Sequence, residues 1–168
     1  MNRAAIAFVV VFLTSLLLFS IVIRIDTVDK NLIVPLTALI ARASSLTLNL
    51  FGMGTSVIGT VIMGGEGFSV DILNGCNGVY VVGIVVSAVL AFPSTKKEKL
   101  VGLLLGVAGV QVINLVRIVS LYYIGLTKPE LFDQFHHYFW QTGVIVLSMA
   151  IWIFWAEVLV AAPARSRA

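Results

Sequence analysis

The chain has 168 residues, 60% of them hydrophobic and only 11% charged, with a formal net charge of +3. Soluble domains carry about 25% charged residues, so this composition excludes an ordinary soluble domain and points to a membrane protein. The positive charges fall mainly in loops and tails, which fits a membrane-orientation signal and not a nucleic-acid surface.

Residues 4–23 form the first uncharged apolar run, flanked by Arg3 and Arg24. A helical span takes about 20 such residues. No small-x-small cleavage site follows, so the run reads as an uncleaved anchor and not as a signal peptide. Residues 32–51 contain Pro35, Arg42 and several Ser, Thr and Asn residues, while Leu36, Leu39, Ile40 and Ala43 recur at helical spacing. That pattern predicts an amphipathic, interfacial helix. SVIGTVIM (56–63) is rich in β-branched residues, GGEG (64–67) reads as a turn, and FSVDI (68–72) alternates apolar with polar. A β-hairpin over 56–72 is expected.

Three more spans are expected at 77–92, 100–124 and 138–156. The first ends at Pro93, the second is broken only by Arg117 among charged residues, and the third has Trp140, Trp152 and Trp155 near its ends. Amphipathic rings favour the interface. The basic loop STKKEK (94–99), Arg3, and Arg165 and Arg167 of the tail should share the cytoplasmic face. Four spans satisfy all three signals, whereas a fifth over 32–51 would put Arg3 and the basic loop on opposite faces. The expected fold is an all-α integral membrane bundle with about four transmembrane helices, one interfacial helix and a small extracytoplasmic β-hairpin. One domain covers 1–163, and 164–168 form a cytoplasmic tail.

This topology gathers the reactive side chains on the extracytoplasmic side. Cys76, the only cysteine, begins the second span between two Asn-Gly pairs, so no intrachain disulfide is open to it. Arg117 falls about two-thirds of the way along the third span, and His136 and His137 lie in the outer loop before the fourth. A lone cysteine in an apolar protein is usually a small buried hydrophobe, and an interfacial histidine is often only a polar tip. Arg117 is harder to set aside, because a mid-helix arginine costs about 2.5 kcal/mol or more on insertion scales. Snorkelling to the outer interface is one solution. Gln111 and Asn114, at i−6 and i−3, instead continue Arg117 into a polar strip facing a hydrated pocket.

Cysteine, histidine and arginine together make a definite chemistry. The thiolate is the nucleophile, and a helix N-terminus or a neighbouring cation favours it. A histidine can act as general acid and base. Arginine either supports the thiolate or binds the oxyanion of a tetrahedral intermediate, and the sequence leaves both roles open. Gly75 and Gly78 permit a tight turn and a close substrate approach, or simply join a strand to a helix. One cysteine and two adjacent histidines do not supply the three or four ligands of a zinc site, and no cofactor is called for. The competing reading is a small transporter or assembly subunit whose polar cavity surrounds Arg117.

NGCNGVY (74–80), FPSTKKEKLVGLLLG (92–106), NLVRIVSLYYIG (114–125) and HHYFWQ (136–141), in that order, resemble the exosortase/archaeosortase family of integral-membrane cysteine transpeptidases. The likeness covers roughly residues 30–157 and is nearest to the exosortase H branch. It implies an active site of Cys76, Arg117 and one histidine. The family pattern favours His136, because Trp140 and Gln141 match its aromatic-Gln ending; His137 is the alternative. Asn74, Gly75, Asn77, Gly78, Asn114, Trp140 and Gln141 are the implied supporting residues. The implied partners are secreted proteins with a C-terminal tag: a short motif, one transmembrane helix and a basic cluster. The enzyme would cut at the motif and pass the new C-terminus to an acceptor in the outer leaflet of the plasma (inner) membrane. The hairpin at 56–72 would bind such a peptide by strand addition, or act as a lid.

Overall fold

The computed structural model describes residues 3–65 and 67–161. Glu66 of the expected turn and the tail, with Arg165 and Arg167, lie outside the described residues. Five helices and a three-stranded sheet make up the described fold.

Helix α1 (Arg3–Val22) buries none of its residues. Its apolar surface is therefore left for lipid, and it meets the rest of the chain through a ring against a glycine. A Cβ at Gly83 would come within 2.2 Å of the Phe19 ring. Small residues at such contacts let helices approach where lipid removes any hydrophobic drive to associate.

Helix α2 (Asp26–Leu50) starts earlier than the pattern at 32–51 indicated. Pro35 hides this start, since proline lacks the N–H and crowds the carbonyl four residues back. A π turn over Asp29–Ile33 opens the hydrogen-bond ladder there, and the helix continues. The buried stripe also differs from the expected one. Thr37, Ile40, Ala41, Ser44, Ser45 and Leu48 face inward, while Leu39 is 60% exposed and Leu50 87%. The small and polar side packs against protein and the leucine side faces out, an inversion suited to lipid. Thr55 then ties off the helix end, its N–H donating to Asn49 Oδ1 at 2.6 Å.

The expected hairpin is a three-stranded antiparallel meander of β1 (Ser56–Ile58), β2 (Val61–Met63) and β3 (Ser69–Asp71). SVIGTVIM is not one strand, because Ile58 pairs with Val61 across a two-residue turn at Gly59-Thr60. Gly59 has φ +62°, and a glycine-first turn of this kind matches strand twist. Fully buried Ile62 on the central strand packs with Ile40, Leu48, Ile72, Ile118 and Tyr122.

Helix α3 (Val79–Ala91) has 13 residues, shorter than the span expected at 77–92. At 1.5 Å per residue it is about 20 Å long, against about 30 Å of hydrocarbon. Helix α4 (Lys96–Thr127) is longer than expected, because Thr95 and Glu98 form a capping box that draws the basic loop into its first turn. Helix α5 runs Pro129–Ala161, so His136 and His137 lie on a helix and not in a loop. Among the described residues α1, α2, α4 and α5 are long and apolar enough to cross a membrane, and α3 is the shorter one.

Helices α1, α3, α4 and α5 run alternately up and down. Phe8 of α1, Phe92 after α3, the start of α4 and Trp152 and Trp155 of α5 meet at one end of the bundle. At the other end Asp29 near the start of α2 joins Asn74, and Leu48 near its finish packs with Ile118 and Tyr122. Both ends of α2 therefore lie in the half that contains Cys76.

Trp155 is 1% exposed and donates its indole N–H to the Glu98 carbonyl at 2.9 Å. A Cβ at Gly102 would sit 2.5 Å from its ring. Gly102→Ala should lower the detergent melting temperature by an amount equivalent to about 1–3 kcal/mol of overpacking. Helix propensity alone predicts a gain of about 1 kcal/mol, so the sign of the shift checks the contact.

Candidate active site

The turn after β3 holds Cys76, whose N–H donates to the Leu73 carbonyl at 2.9 Å. Gly75 and Gly78 have φ of +101° and +76°, which side-chain-bearing residues rarely adopt. Between them and the bundle, Asn77 is 1% exposed and joins three helices. Its Nδ2 donates to Thr37 Oγ1 of α2 at 2.9 Å and to Asn74 Oδ1 at 3.2 Å. Its Oδ1 accepts from the Val79 N–H that opens α3, and its carbonyl accepts from Gln111 Nε2 of α4 at 3.4 Å. Asn74 is anchored in turn, its Nδ2 donating to Asp29 Oδ1 at 2.9 Å.

On α4, Gln111, Asn114 and Arg117 form the polar strip. Arg117 is 5% exposed, so the side chain turns inward and does not snorkel. Its Nη2 donates to Cys76 Sγ at 3.8 Å. Asn114 is fully buried against Gly78, where a Cβ would lie 3.3 Å from its Cγ, and both its amide atoms lack partners. Buried amides are rarely left so, and this one keeps its full hydrogen-bonding capacity one turn below Arg117.

His136 approaches from α5. Its Nε2 lies 3.3 Å from Cys76 Sγ. Two features aim the ring. A π turn over Phe135–Trp140 inserts an extra residue per turn at this point. Phe132, one turn earlier, stacks on the imidazole with centroids 5.7 Å apart and planes 20° from parallel. His137 meets His136 edge-on at 4.6 Å and makes no hydrogen bond to the sulfur.

Sulfur, imidazole and guanidinium thus meet from three segments far apart in sequence, at the edge of the apolar cluster around Ile118 and Tyr122. The transmembrane exosortase model (Exosortase_EpsH) matches residues 4–156, almost the whole described chain. The chain belongs to the transmembrane exosortase family. No curated protein and no solved structure matches it. Transmembrane exosortases are cysteine-type transpeptidases acting on substrates that bear a sorting signal, and this one is a multi-pass membrane protein.

Of the supporting residues expected from this exosortase's sequence, Asn74, Gly75, Asn77 and Gly78 build the turn, and Asn114 lines it. Trp140 packs one helical turn away with Leu121 and Val144, and Gln141 is exposed outside the polar set. Sequence reasoning missed Asp29, Thr37 and Phe132. Phe132 was discoverable at i−4 from His136, and Thr37 only once the inward face of α2 was known.

Asn77→Ala removes hydrogen bonds to three segments at once. Leaving buried groups unpaired costs about 1–3 kcal/mol each. The variant's melting temperature and its processing of a tagged substrate should both fall. An unchanged melting curve would exclude the role of Asn77 as the junction.

Proposed function

We propose that Cys76 is the nucleophile of a membrane-embedded transpeptidase that cleaves the C-terminal sorting tag of secreted proteins. The observation that carries this reading is the sulfur held between His136 Nε2 at 3.3 Å and Arg117 Nη2 at 3.8 Å. His136 takes the thiol proton as Sγ attacks the scissile carbonyl. Arg117 faces the negative charge that develops on the sulfur and then on the carbonyl oxygen. The tetrahedral intermediate collapses, the C–N bond breaks, and His136 returns the proton to the leaving amine. A thioester on Cys76 remains. An acceptor nucleophile then gives its proton to His136, attacks the thioester and releases the thiolate.

The short α3 supports a site within the outer leaflet of the plasma (inner) membrane. With its Pro93 end at the cytoplasmic boundary, about 20 Å of helix stops short of the far surface, and the Cys76 turn lies just inside it. Non-helical backbone at that depth is tolerated where protein covers it, and buried Asn77 and Thr37 provide such cover. An amphiphile in that leaflet is then the acceptor nearest the thioester. In this topology α1, α3, α4 and α5 cross the bilayer, α2 lies at the outer interface with its leucine side in lipid, and the sheet stays on the extracytoplasmic side.

Cys76→Ala should abolish processing of a co-expressed tagged protein, and the wild-type chain should yield a hydroxylamine-sensitive thioester adduct. Processing that survives Cys76→Ala excludes the mechanism. Mass spectrometry of the product's C-terminus separates transfer, which adds a group, from hydrolysis, which leaves a carboxylate. Arg117→Lys keeps the charge but loses the planar fork. Turnover should drop about 100-fold or more, as for loss of an oxyanion donor. Near-normal turnover would reduce Arg117 to a point charge.

A further inference from the structure

Strand β3 is an edge of the sheet, and its free side faces a groove of about 400 Å³. The register fixes which backbone groups point there. The Phe68 carbonyl accepts from Gly64 N–H, Val70 pairs with Ile62, and Ile72 N–H donates to the Thr60 carbonyl. Alternate residues of an antiparallel ladder turn their hydrogen-bonding groups to opposite sides. Ser69 and Asp71 therefore direct their N–H and C=O groups away from β2, into the groove. Gly125, Pro129 and Phe132 form its opposite wall. Gly125 is small for a reason, since a Cβ there would lie 2.3 Å from the Phe68 ring.

The groove leads to the reactive sulfur by two routes. Along the chain, Asp71 is five residues before Cys76. Through space, Phe132 on its wall is the ring stacked on His136. Gly125 lies beyond Arg117 on α4, so the groove is on the side of Cys76 away from the Lys96 end.

We infer that β3 binds the substrate segment immediately before the cleaved bond as a fourth strand, parallel to β3, with Ser69 and Asp71 supplying the backbone hydrogen bonds. This rests on the transpeptidase reading. A helical tag must descend past Cys76 into the bilayer, which leaves the preceding residues on the groove side. Asp71 lies five residues before Cys76 and the Leu73–Cys76 turn shortens that path, so a parallel strand rising about 3.3 Å per residue needs no more than about five residues to cover it. Main-chain pairing supplies affinity in strand addition, and alternate side chains supply specificity. The segment read by the enzyme is thus extended and lies within about five residues of the cleaved bond.

The test uses the full-length enzyme in membranes with an epitope-labelled secreted protein carrying its own C-terminal tag. Ser69→Pro removes an outward-facing N–H without touching the β2 ladder. Processing should fall about 10-fold, the order expected for a lost backbone hydrogen bond. Cys76 should alkylate with iodoacetamide at the wild-type rate in this variant. Alanine scanning of the five substrate residues should show every second one to be sensitive. Normal processing by Ser69→Pro, or sensitivity without alternation, overturns the strand. If Ser69→Pro disturbs alkylation, a photo-crosslinker at Asp71 in the Cys76→Ala chain decides: it should capture the substrate, and no adduct overturns the proposal. Processing that survives Cys76→Ala rejects the transpeptidase reading itself. Processing lost in Cys76→Ala but kept in Ser69→Pro rejects only the groove.

Discussion

A buried guanidinium on an apolar helix is the constraint from which the rest of this molecule follows. Arg117 is 5% exposed, and its one side-chain hydrogen bond among the described residues goes to the Cys76 sulfur. A charge taken out of water needs a partner, and removing that partner is expensive. Among the described residues no carboxylate pairs with it. The groups set around it are a thiol, an imidazole and uncommitted amides, which are suited to negative charge that appears during reaction and then departs. Under the proposed mechanism, such an arrangement would serve a transition state more than a resting fold.

Holding a loop against a helix in lipid demands that the loop's polar groups be satisfied by protein. Asn77 does most of this, and its partners explain why α2 is inverted. Thr37 and Ser45 are turned inward because the first serves Asn77 and the second the Thr55 turn. Leu39, Leu46 and Leu50 can face outward at little cost because lipid is as apolar as leucine. The usual reading of an amphipathic helix, apolar side inward, assumes water outside. In this chain that assumption fails.

This also explains which parts were legible in advance. The Cys76 turn, the Gln111–Asn114–Arg117 strip and the histidine pair are written in local residue types, and the chemistry of each can be read without knowing its neighbours. The choice between His136 and His137 rested on a motif, and it is His136 whose Nε2 lies within hydrogen-bond distance of the sulfur. What stayed hidden depends on backbone irregularity. A π turn has no strong sequence signature, yet one carries α2 through Pro35 and another lies under His136. The Gly59-Thr60 turn was concealed for a different reason. It interrupts a β-branched run with a single glycine, which in a strand reads equally as a bulge.

The two ends of the bundle differ in how they are packed. At the Lys96 end, rings of Phe92, Trp152 and Trp155 interlock, and the Trp155 indole satisfies the Glu98 carbonyl. That end is packed with aromatic side chains. At the other end α3 stops early, α2 and the sheet crowd in, and the Asn114 amide has no hydrogen-bond partner among the described residues. The closed end fixes the relative positions of α3, α4 and α5 at a distance from the sulfur. Under the proposed function a peptide arrives at the other end, where it would not disturb them. A rigid base beneath a polar turn is what positioning catalysis requires, because the reacting groups must be held while the substrate arrives. Under the proposed function, the shortness of α3 is the feature that would make room for a reaction inside the membrane.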